Sequence, residues 1–105
     1  MKLIFSLGLL LASMLPHDQQ KHTPRSSVKI EGVVVSDDNK RPVSQAYLFV
    51  VKGEEETISG SNGKFTLTTW QSFPVSLTVE HPSYRKIKLS IKEPGEKQVI
   101  RLEPK

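Results

Sequence analysis

Between Val28 and Leu102 apolar residues never recur at helical spacing, and this is what most limits the fold of the chain. Short alternating or β-branched runs recur instead, separated by turn signals at the spacing of an all-β domain. VKIEGVVVS places Val28, Ile30 and Val34 on one face, and Gly32 interrupts it where a bulge or a close backbone approach is expected. DDNKRPV is a polar connection in which Pro42 pre-sets φ. AYLFVV is apolar on both faces, which predicts a central strand. KGEEE turns the chain, and ETISG reads as a short strand. Asn62 and Gly63 both tolerate positive φ and mark a turn, after which Phe65 and Leu67 point opposite to Thr66 and Thr68. Beyond WQSFP, VSLTV turns Leu77 and Val79 inward. Ile87, Leu89 and Ile91 then alternate with Lys86, Lys88, Ser90 and Lys92, and Val99, Ile100 and Leu102 lie in the last run. No connection is long enough for a helical crossover, so the pattern predicts an all-β, seven-stranded antiparallel β-sandwich.

The first residues follow a different rule. Residues 1–16, MKLIFSLGLLLASMLP, carry one positive charge at Lys2 and then an uncharged apolar run from Leu3 to Leu15. Ala12 and Ser13 are small residues near its end. This is the three-part pattern of a signal peptide. The 13-residue run is short of the roughly 20 needed to span a bilayer, so no transmembrane helix is expected once the signal is removed. Residues 17–26, HDQQKHTPRS, read as a flexible polar lead-in. The sandwich domain is assigned to 27–105. The expected destination is outside the cytoplasm: periplasmic, outer-membrane-associated or extracellular.

Composition removes several functions. The chain has no cysteine, which excludes a disulfide framework, a thiol nucleophile, a thiolate zinc site and a cysteine-linked lipid anchor. The net charge is +4, one unit of it from Lys2, without the concentrated basic surface expected for nucleic-acid binding.

The ordered pieces I30-E-G-V-V, P42-V-S-Q-A-Y-L-F-V, T57-I-S-G-S-N-G-K-F-T-L and L77-T-V-E-H-P-S-Y resemble the carboxypeptidase-regulatory-like domain. The resemblance covers nearly all of the chain after the lead-in, and it implies a transthyretin-like (prealbumin-like) sandwich. On that pattern Gly32 relieves crowding, Pro42 precedes the second strand, and Ala46 is small where the sheets approach. Asn62-Gly63 closes a hairpin, Phe65 fills the core and Tyr84 packs. Ser83 departs from the usual glycine before Tyr84, which implies a different turn at His81-Pro82. The resemblance implies an accessory module, not an enzyme.

The search for chemistry agrees. His17 and His22 have no third metal ligand arranged around them, and His81 has no nucleophile and orienting acid beside it. Glu80 is adjacent, but neighbours on a strand point to opposite faces. The chain ends IRLEPK and lacks the Tyr-Arg-Gly-Ser ending of the hydroxyisourate hydrolases that share the transthyretin-like fold. Asp37-Asp38-Asn39 reads as a polar turn, not a calcium loop. Glu54-Glu55-Glu56 reads as a solvated loop tip. No catalytic residue, metal or cofactor is expected.

Binding is the remaining reading. Trp70 and Phe73 in the connection TTWQSFP are the candidate partner-binding residues, set against a simple role in capping the core. The basic row Lys86, Lys88 and Lys92, with Arg101, and the outer face Tyr47, Phe49 and Val51 are weaker candidates. The expected partner is an envelope protein, with a glycan stacked on Trp70 and Phe73 as the alternative.

Overall fold

Strict alternation of burial along KFTLTT shows how the chain builds its sheets. Phe65, Leu67 and Thr69 are buried, while Lys64, Thr66 and Thr68 face solvent. The same rule organises seven strands in a computed structural model that describes residues 26–105. They are β1 (Val28–Ser36), β2 (Tyr47–Val51), β3 (Glu55–Ile58), β4 (Lys64–Thr69), β5 (Val75–His81), β6 (Tyr84–Ile91) and β7 (Gln98–Leu102). The predicted signal peptide, His17, His22 and all but Ser26 of the lead-in lie outside the described residues.

The strands form a three-stranded sheet, β4-β1-β7, facing a four-stranded sheet, β3-β2-β5-β6. The expected sandwich is present, with one difference in its pairing. Four of the five strand pairs are antiparallel, but β1 and β7 run parallel, with Val34 opposite Ile100. Nearly the whole domain forms the connection between these two strands. Parallel pairing therefore needs no helical crossover here.

A second difference lies at Asn62-Gly63. Gly63 has φ 79°, as the turn requires, and its N–H donates to the Gly60 carbonyl at 2.8 Å. Yet β3 and β4 belong to different sheets, so the turn carries the chain across the sandwich and closes no hairpin. Local turn chemistry fixes a reversal, not which strands pair afterwards.

The core lies between the sheets. Val34, Leu48, Leu77, Val79 and Leu102 are fully buried, with Phe65 and Ala46 among them. Each such aliphatic side chain contributes roughly 1.5–3 kcal/mol of burial. Gly32 sits where β1 passes β7. A Cβ there would lie 2.1 Å from the Gln98 carbonyl oxygen, so the expected close approach is real. Pro42 bridges Val35, and its neighbours extend β1: Ser36 N–H donates to Arg41 O at 2.8 Å and Val43 N–H to Val34 O at 2.9 Å. Between β5 and β6, Pro82 and Ser83 make a tight turn without positive φ, which explains why Ser83 can replace glycine.

Candidate functional site

β4 ends at Thr69, and the chain leaves the sandwich at Trp70 before re-entering at Val75. What holds this exit is Glu55, at the start of β3. Its side chain is buried, which corrects the reading of the three glutamates as a solvated tip. The Thr69 hydroxyl donates to Glu55 Oε1 at 2.6 Å. The Trp70 N–H and the Gln71 Nε2 donate to Oε2 at 3.0 and 3.2 Å. Gln71 N–H donates in turn to Thr69 Oγ1 at 3.0 Å. Burial alone would raise the Glu55 carboxyl, but these three donors together hold it below its ordinary value.

The two neighbouring glutamates behave differently. Glu56 points outward, where Oε1 accepts the Tyr47 hydroxyl and the Gly53 N–H. Accepting that proton holds the Tyr47 phenol above its ordinary value. Glu54 is exposed. Period-2 alternation separates the three, because Glu55, Thr57 and Ser59 lie on the inward track of β3 and its continuation.

On the exit held by Glu55, the two aromatic candidates part. Trp70 is 51% exposed. Phe73 is partly buried and packs on the core. An aromatic platform at this end therefore rests on Trp70, while Phe73 anchors the loop from below. A concavity of about 410 Å³ lined by Val50, Gln71, Ser72 and Pro74 opens on the same loop.

The other candidates are spread over the sheet faces. Tyr47 and Phe49 are partly buried on the outer face of β2, with ring centroids 5.1 Å apart. Ile58, opposite Tyr47 on β3, is 59% exposed and extends that apolar face. Sequence reading did not single out Ile58, although its place between the inward Thr57 and Ser59 marks it. Lys86, Lys88, Lys92 and Arg101 are exposed, and Lys86 lies 3.8 Å from Glu80.

His81 has both ring nitrogens engaged. Nδ1 accepts the Ser83 N–H at 3.0 Å, which leaves Nε2 to donate to the Ser44 carbonyl at 3.1 Å. The Tyr84 ring meets it edge-on at 5.1 Å. Glu80, the adjacent carboxylate, does not orient this histidine, because it faces the other way, toward Lys86. Asp38 and Asn39 cap the turn after β1, accepting from Ser36 Oγ at 2.5 Å and from Arg41 N–H at 2.9 Å. Among the described residues no group of three or more acids and histidines is placed to hold a metal ion. No helix among them is long and apolar enough to cross a membrane.

Among the described residues this arrangement fixes a loop from beneath and presents Trp70 on it. The family model described as CarboxypepD_reg-like domain matches residues 30–105, well over half of the chain. No curated protein matches the chain.

Proposed function

The chain belongs to the CarboxypepD_reg-like domain family, and on that premise we propose that it is a non-enzymatic interaction module of the bacterial cell envelope that docks on another protein. The observation that carries this reading is Trp70. Half of its surface is open to solvent, on a loop whose backbone is fixed from beneath by the Glu55 carboxylate. A large aromatic on a pre-ordered loop loses little freedom on binding and makes a strong anchor. Export through the N-terminal signal brings the domain to that partner.

Photocrosslinking in envelope extracts tests the proposal, with the crosslinker at Ser72 and the loop otherwise intact. The expected result is one specific protein adduct that disappears in Trp70→Ala. An unchanged adduct pattern in Trp70→Ala counts against the docking site. A glycan array separates the alternative ligand class: Trp70-dependent glycan binding without a protein adduct would replace a protein partner by a sugar.

A further inference from the structure

A different surface follows from the unequal sizes of the two sheets. On β5, Leu77 and Val79 are completely buried. Their cross-strand partners on β6, Leu89 and Ile87, point the same way but are only partly buried. The cause is the facing sheet. It has three strands against four and ends at β7, so among the described residues the inner side of β6 is only partly covered at Ile87 and Leu89, while Ile91 at its far end is buried.

The edge of β6 is also incompletely paired. At its start, the Arg85 N–H donates to the Glu103 carbonyl at 2.8 Å, and Lys105 N–H to the Ser83 carbonyl at 3.1 Å. Tyr84 bridges Pro104 in the antiparallel sense. The residues after β7 thus form a short antiparallel bridge alongside the start of β6 only. From Lys86 to Ile91 no strand among the described residues pairs with β6 on the side away from β5. Six residues of open edge measure about 20 Å.

Charge selects what could lie there. The outer face of this edge presents Lys86 and Lys88, with Lys92 just beyond, and Lys88 forms no ion pair among the described residues. A second copy of the chain is a poor occupant, because antiparallel self-pairing would set one lysine row against the other. We propose that the β6 edge from Lys86 to Ile91 accepts an extended segment of a protein partner in which acidic and apolar residues alternate. The acidic side chains lie beside Lys86 and Lys88, the apolar ones cover Ile87 and Leu89, and the backbone supplies the remaining ladder. This surface is separate from the Trp70 loop and does not depend on it.

The test is an amide-shift titration of the isotopically labelled protein with a seven-residue peptide alternating glutamate and valine. Shifts should concentrate on residues 86–91. The dissociation constant should rise about tenfold in Lys88→Glu, as expected for replacing an attractive cross-strand pair with a repulsive one and unpairing its neighbour. A peptide alternating lysine and valine should bind at least tenfold more weakly, and N-methylation of alternate glutamate–valine amides should abolish binding. Trp70→Ala should leave the peptide affinity unchanged, so this proposal and the Trp70 docking site fail independently. The proposal is overturned by no shifts at millimolar peptide, by shifts centred off β6, by equal binding of the lysine peptide, or by full binding of the N-methylated one.

Discussion

The Glu55 carboxylate on β3 accepts a 2.6 Å hydrogen bond from the Thr69 hydroxyl on β4, and these strands belong to opposite sheets. One side of the sandwich is therefore tied by a charged, buried clasp, and the loop carrying Trp70 hangs from the same carboxylate. Glu55→Ala removes the acceptor for three donors and leaves Thr69 fully buried without it. The cost should be about 2–3 kcal/mol. For a domain of this size that lowers Tm by roughly 10 °C or more. Thermal unfolding followed by circular dichroism measures it, and a change of under about 2 °C would show that the clasp is not structural.

The same carboxylate makes acid stability predictable. Its folded pKa is below the ordinary value of 4.5, so the unfolded chain binds this proton more readily. Its contribution is complete above the unfolded pKa. It declines as pH falls from about 4.5 and is lost below the folded pKa. Denaturant titrations across this window should show a shallower pH slope for Glu55→Gln than for the natural protein. Asp38 is also held low, first by the Ser36 hydroxyl, and it titrates in the same direction, so some slope remains in the variant. Parallel curves for the two proteins would remove Glu55 from the account.

Gly32→Ala should be the most damaging small substitution in β1. The added methyl would sit 2.1 Å from the Gln98 carbonyl oxygen, and a backbone atom cannot rotate away as a side chain could. Either β7 shifts or the parallel pairing is lost, at about 3 kcal/mol, the upper end for overpacking. Amide exchange should show protection lost first along β7. Unchanged protection at Gln98–Leu102 would show that the methyl is accommodated without disturbing the β1–β7 ladder.

Gly32 is legible in the sequence because a glycine inside a β-branched run weakens the strand unless a neighbouring backbone needs the space, and β4 is legible because its alternation is strict. The parallel β1–β7 pair is not, since its partners lie at opposite ends of the domain and pairing sense leaves no local mark. Asn62-Gly63 announces a reversal but not that β3 and β4 enter different sheets. Glu55 is hidden by its charge: three consecutive glutamates look solvated until the inward track through Thr57 and Ser59 is followed. Trp70 and Phe73 share one short loop, and only the three-dimensional path shows that Phe73 packs on the core while Trp70 is presented.

The outer face of β2 offers a direct test of how Glu56 acts. The Tyr47 hydroxyl donates to Glu56 Oε1, which also accepts the Gly53 N–H at 3.1 Å. Deprotonating the phenol would break that hydrogen bond and place an anion beside the carboxylate, so the Tyr47 pKa is raised above its ordinary value of 10.0. In linkage terms this favours the folded state below the unfolded phenol pKa, and the contribution disappears as pH rises through the folded one. Ultraviolet titration of a Tyr84→Phe background isolates Tyr47 spectroscopically. Its midpoint should lie above 10.0 and move down toward that value in Glu56→Ala, where the acceptor is gone. Because the pair is exposed, Tm near neutral pH should change little, so the midpoint can move without unfolding. A midpoint that stays in place when Glu56 is replaced would show that the hydrogen bond does not persist in solution.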